Sequence, residues 1–282
     1  MRRRRLLPVT LLALTVADCS SGSSAASLAA ASPAAGSAAA ATSAPAVELQ
    51  VYAAASLASA LDKAATAYEA ENPGLTVTAS TDSSAALETK IEQGAPADVF
   101  LSADTANPQK LVAAGLAAGA MSVFAGNKLT VIVPVANPAG IASPVDLARS
   151  GVKIIACSDA VPIQKYTVQW LAKVSALPAY GADFATRFDA NVVSREDNVS
   201  AIVAKVGLGE GDAGVVYVTD AKTSTQVATV DIPAAENVRA AYGGVVVKAS
   251  AHADAAAKFL GWLTGAEGQR ILASFGFLPP AG

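Results

Sequence analysis

Val47-Glu48-Leu49-Gln50-Val51-Tyr52-Ala53-Ala54-Ala55-Ser56-Leu57 passes from a β-rich run into three small residues and a serine. Leu57, Ala60, Leu61, Ala64 and Tyr68 then recur at helical spacing, so the segment reads as a strand that turns into an amphipathic helix. Small residues at a strand end let a ligand approach the backbone. Ser56 falls where a helix N-cap belongs, and its hydroxyl fits either a plain cap or a ligand contact.

The same alternation continues outward. A helix is expected to about Ala70, a strand over Leu75-Thr76-Val77-Thr78, a helix from Ala85 to Gln93 and a strand over Asp98-Val99-Phe100-Leu101. Further strands are expected at Lys128 to Val135, Lys153 to Cys157, Ala213 to Val218, Val227 to Ile232 and Gly243 to Val247. The stretch from Ala251 to Phe275 predicts two helices broken near Gly265. This ordering is α/β. One parallel sheet could hold all the strands, but the number of units favours two lobes facing a cleft. Ligands in such folds sit beyond the carboxyl ends of strands, near helix N-termini.

Three more helix starts resemble the one at Ser56. Ser83-Ser84-Ala85-Ala86-Leu87 places hydroxyls before Leu87 and Ile91, spaced i, i+4. Ser194-Arg195-Glu196-Asp197 matches the S-x-x-D capping pattern before Val199, Ile202, Val203 and Val206. Val161-Pro162-Ile163-Gln164 puts proline where the first helical turn accepts it. Four helix starts with free N–H groups could hold an anion without lysine or arginine.

The chain has 282 residues, 52% hydrophobic and 15% charged, enough for a sizeable core and one or two domains. Arg2 to Arg5 followed by the apolar Leu6 to Val16 read as an export signal over residues 1–18. Val16-Ala17-Asp18-Cys19 resembles the lipobox of bacterial lipoproteins, in which the cysteine is acylated, although Asp18 departs from that pattern. Residues 20–46 contain Ser, Ala, Gly, Pro, Thr and one Leu, a composition too poor in large apolar side chains to fold. Residues 19–46 are read as a tether reaching about 30 Å as a flexible coil.

Removing residues 1–18 takes away four Arg and one Asp, and the remaining 16 basic and 22 acidic side chains leave a formal charge of −6. An acidic surface disfavours nucleic acid, and a bound anion must be held by local dipoles. Enzyme motifs are missing: one histidine, His252, and no H-E-x-x-H, G-x-S-x-G or P-loop. With Cys19 acylated, Cys157 stands alone at the end of an apolar run and reads as a buried small hydrophobe. Gly209-Glu210-Gly211-Asp212-Ala213-Gly214 spells G-x-G-x-x-G, but it precedes a strand, whereas a dinucleotide fingerprint opens a helix.

Together with these junctions, Glu92-Gln93-Gly94-Ala95-Pro96-Ala97-Asp98-Val99-Phe100, Gly126-Asn127-Lys128-Leu129, Val161-Pro162 and Gly214-Val215-Val216-Tyr217 resemble the molybdate-binding (ModA) family of bacterial ABC importers from about Val47 onward. The resemblance implies a type II periplasmic-binding-protein fold, with 47–127 plus 222–282 as one lobe, 128–221 as the other and the ligand in the cleft between them. It implies no enzyme and no cofactor. The expected protein is a monomer outside the cytoplasmic membrane, anchored through Cys19, that passes molybdate or tungstate to a permease and ATPase complex. The family's oxyanion contacts fall on Ser56 and Ser84 as hydroxyl and amide donors, on the amides of Ile163 and Val199, and on the Tyr217 hydroxyl. These groups touch the anion's oxygens and none ligates the metal directly. Gln164 replaces a usual glycine, and Ala85 and Ala86 stand where some members carry hydroxyls. A receptor of the same fold for sulfate or another small anion is the nearest alternative, and a secreted hydrolase using Ser56 or Ser84 lacks a base.

Overall fold

The computed structural model describes residues 46–280; the expected export signal, Cys19 and the tether up to residue 45 lie outside them. β1 (Val47–Ala54) pairs in parallel with β2 (Leu75–Asp82) on one side and β3 (Val99–Ser102) on the other. Parallel neighbours need crossovers, supplied by α1 (Ala58–Glu71) and α2 (Ser84–Glu92). Phe100 and Leu101 are adjacent on β3 and therefore face opposite sides of the sheet. Phe100 joins an apolar cluster with Leu87, Ile91 and Leu111 beneath α2 and α3 (Ala106–Ala113). Leu101 joins the main core with residues of α1, α8 (Ala253–Thr264) and α9 (Ala266–Ser274), where Tyr68 meets Phe259 edge-on at 5.1 Å.

A second parallel group consists of β5 (Ile154–Cys157), flanked by β6 (Val192–Glu196) and β7 (Ala213–Tyr217). Every residue of β3, β5 and β7 is buried, as parallel strands covered on both faces require. α4 (Pro162–Ser175) and α5 (Phe184–Ala190) join through Trp170, edge-on to Phe184 at 5.9 Å. α6 (Val199–Gly207) packs close to β7, since a Cβ on Gly214 would strike Ile202.

Two antiparallel strands connect the groups. β4 (Ser122–Pro134) pairs with β9 (Arg239–Val246) through Ser122–Lys128 and with β7 through Leu129–Ile132. β9 in turn pairs with β3, giving the path β2-β1-β3-β9-β4-β7-β5-β6. β8 (Val227–Val230) pairs with Val131–Pro134 of β4. The pairing thus keeps residues 227–230 with the second group, although residues after 222 are expected in the first.

The structure also moves two expected helix caps. Ser194 lies inside β6, the last strand of the path, and Asn198 caps α6 by accepting from Ala201 N–H at 3.1 Å. An edge strand with half-exposed Ser194 and Glu196 carries no hydrophobic alternation, so the sequence there resembles a cap. Ser56 sits in the middle of a 3-10 turn, Ala55–Leu57, capped by Ala54 without a side-chain bond. The G-x-G-x-x-G stretch turns from α6 into β7, with Gly209 at φ +76°.

Candidate oxyanion site

The ends of five parallel strands converge. The turn after β1 carries Ser56, α2 opens with Ser84 after β2, and α4 brings Ile163 to its second position after β5. α6 opens with Val199 after β6, and Tyr217 ends β7. All five line one small cavity, together with Ala54, Ala55, Asp82, Ser83, Ala103, Val161 and Pro162. The five expected residues are therefore neighbours, and they come from both parallel groups.

The cavity wall is rich in hydrogen-bond donors. The first amides of a helix have no carbonyl four residues back, and those of Ser84, Ile163 and Val199 find no acceptor among the described residues. Helix dipoles of α2, α4 and α6 add partial positive charge at the same ends. Ser84 Oγ accepts from Ala103 N–H at 3.0 Å, which leaves its proton to point elsewhere. Ser56 Oγ lies 2.9 Å from Tyr242 Oη. The Tyr217 hydroxyl is fully buried and has no hydrogen-bond partner among the described residues, a deficit of about 1–3 kcal/mol unless something fills it.

Among the described residues no lysine or arginine lines the cavity, and the one charged residue in its wall is Asp82. That carboxylate is engaged on both oxygens. Oδ1 accepts from Ser83 N–H at 2.8 Å and stands 3.5 Å from Asn198 Nδ2, while Lys90 Nζ donates to Oδ2 at 3.2 Å. These donors reduce its acceptor character without exhausting a carboxylate's four lone-pair sites.

Burial, reinforced by Tyr242 and Tyr166, pushes the Tyr217 hydroxyl far above its ordinary range and keeps its proton in place. Burial likewise raises Asp220, on α7 (Val218–Lys222), to about 7, against the lowering effect of its bond from Tyr217 N–H at 3.1 Å. Cys157 is buried, and desolvation with nearby Glu196, Asp220 and Asp197 drives its thiol upward.

A family model for bacterial extracellular solute-binding proteins matches residues 49–278. The chain belongs to that family. As an extracellular solute-binding protein it is 37% identical over 231 residues to the molybdate-binding protein ModA of Mycobacterium tuberculosis, covering 82% of this chain and 84% of the relative. It is 30% identical to the putative ABC transporter substrate-binding lipoprotein YvgL of Bacillus subtilis, covering 94% and 93%. The substrate-binding domain of a putative molybdenum ABC transporter from Clostridium difficile superposes with a TM-score of 0.63 at 28% identity, covering 83% and 100%. The fold is that of the two-lobed periplasmic binding proteins. Extracellular solute-binding proteins work outside the cytoplasm, and no described helix is long and apolar enough to cross a membrane.

Sequence reasoning missed several groups around the site in this solute-binding protein. Ala103 and Tyr242 carry no local signal, because each acts through a partner distant in sequence, and Asp82 is seen only once the fold brings the end of β2 to the cavity. Asn127 lies in the Gly126-Asn127-Lys128-Leu129 stretch, yet its contacts with Thr219 and Tyr242 lie 92 and 115 residues away.

Proposed function

We propose that this solute-binding protein captures molybdate, or tungstate, and delivers it to an ABC importer. Ser56 and Ser84 donate from hydroxyl and amide, Ile163 and Val199 from their amides, and Tyr217 from its phenol. The observation that carries this reading is the buried Tyr217 hydroxyl without a partner, in a cavity of donors free of cationic side chains. Molybdate and tungstate are fully deprotonated at neutral pH, so every oxygen accepts. Hydrogen phosphate brings a proton that needs an acceptor in a wall that presents mainly donors, which disfavours it. Names of the ModA relatives, 37% identical over most of this chain, point to molybdate as well.

The two strand groups serve as lobes that close on the anion, joined by β4 after residue 128 and by the link from β8 to β9. A monomer held to the membrane through Cys19 on the 19–46 tether would present the loaded cleft to the permease; the lipoprotein relative supports that anchor.

A melting panel with molybdate, tungstate, sulfate and phosphate tests the function. Hundredfold excess over Kd stabilises by about 2.7 kcal/mol, or roughly 5–10 °C for a domain of this size. Molybdate and tungstate should give that shift, and equal or larger shifts with sulfate or phosphate would refute the assignment.

A further inference from the structure

We propose that Tyr242 and Asn127 set the direction of the Ser56 hydroxyl proton, and thereby make Ser56 a donor to the bound anion. This inference rests on the oxyanion reading above. Asn127 is wholly buried, and its amide has one consistent orientation. Lys128 N–H donates to Oδ1 at 2.9 Å, so the other end is Nδ2, which donates to Thr219 Oγ1 at 2.9 Å and to Tyr242 Oη at 3.2 Å. Tyr242 Oη thus receives a proton from Asn127 and holds one of its own. The acceptor within reach of that proton is Ser56 Oγ at 2.9 Å. If Ser56 donated to Tyr242 instead, the tyrosine proton would be buried without an acceptor, a costly arrangement.

The order is therefore Lys128 N–H to Asn127, Asn127 to Tyr242, Tyr242 to Ser56. Ser56 has accepted on this side, and its own proton turns to the cavity that it lines. Ala103 N–H does the same for Ser84 in a single step. Tyr242 is thus a positioning residue that touches no ligand. With its proton turned to the cavity, Ser56 presents a donor there, which favours an anion whose oxygens only accept.

A double-mutant cycle with calorimetry tests the relay. Tyr242→Phe keeps the ring and its edge-on contacts with Phe124, Tyr217 and Phe277 but removes the proton given to Ser56. It should lower molybdate affinity roughly threefold to tenfold and raise hydrogen-phosphate affinity relative to molybdate. Ser56→Ala should cost more, and adding Tyr242→Phe to Ser56→Ala should cost nothing further. Independent, multiplying losses, or an unchanged molybdate-to-phosphate ratio in Tyr242→Phe, would overturn the relay while leaving the receptor intact. Failure of the parent protein to bind any oxyanion would overturn both.

Discussion

Lys165 Nζ lies 3.2 Å from Asp104 Oδ2 and so ties α4 of the second strand group to the loop after β3 of the first. Asp104 is buried and also accepts from Ser102 Oγ at 2.9 Å and from Asn107 N–H and Nδ2–H at 3.0 Å. Lys165 is two residues from Ile163, so the ion pair holds the α4 amides against the cavity. Lys165→Met leaves Asp104 with its other donors but opens this link. Because the lysine is partly exposed, the loss is modest, about 1 kcal/mol, or roughly fivefold. Stopped-flow measurements should place it in faster molybdate release with little change in capture. Unchanged release would show that the pair does not hold the cleft closed.

Removing the hydroxyls should separate their roles from folding. Ser56→Ala and Ser84→Ala are each expected to weaken molybdate binding about ten- to hundredfold, roughly 1.5–3 kcal/mol. Calorimetry of the double variant checks this, and unaltered affinity would exclude both hydroxyls from the contact set.

Tyr217→Phe should act oppositely on the empty and the loaded protein. Without ligand, it deletes a buried hydroxyl that has no partner, which is expected to raise the melting temperature by a few degrees. With ligand, it deletes a donor, so the molybdate-induced shift should shrink. A variant that melts lower when empty would contradict the isolation of that hydroxyl.

The Asp220 carboxyl, raised to about 7 by burial, links stability to pH. Between roughly pH 4 and 7 the native protein keeps a proton that the unfolded chain has released, so Asp220 takes away stability as pH rises through that window. Asp220→Asn removes the titration while an amide oxygen can still accept from Tyr217 N–H. Its stability advantage over the parent should grow by about 2 kcal/mol from pH 5 to pH 7. Denaturant titrations with parallel pH profiles would show that Asp220 does not carry this dependence.

Strands and helices with strong periodicity were legible in the sequence, and the ones without it were not. β1, α1, β5 and the α8–α9 break fall close to expectation because Leu49, Val51, Leu61, Ile154 and Phe259 mark buried faces. β6 was invisible, since Ser194, Arg195 and Glu196 show no apolar alternation on an exposed edge. β4 starts at Ser122 and β9 at Arg239, both ahead of expectation, because their early residues owe their conformation to each other. At the site, Ser84 could be found at a helix start, whereas Ile163 and Val199 came through the family resemblance, the start of α6 being expected at Ser194 and found at Asn198. Tyr217 is both a core aromatic and a wall residue: its ring packs edge-on against Tyr166 and Tyr242 while its hydroxyl stays unpaired among the described residues. Proton direction at Ser56 was out of reach, because it depends on Asn127 and Tyr242, brought together only by the β4–β9 ladder.

The burial of Cys157 confers chemical durability. Thiolate is the form that attacks peroxides and disulfides, and this thiol is held protonated behind the β5 core. A receptor working beyond the reducing cytosol thereby presents less thiolate to oxidants and disulfides at that position.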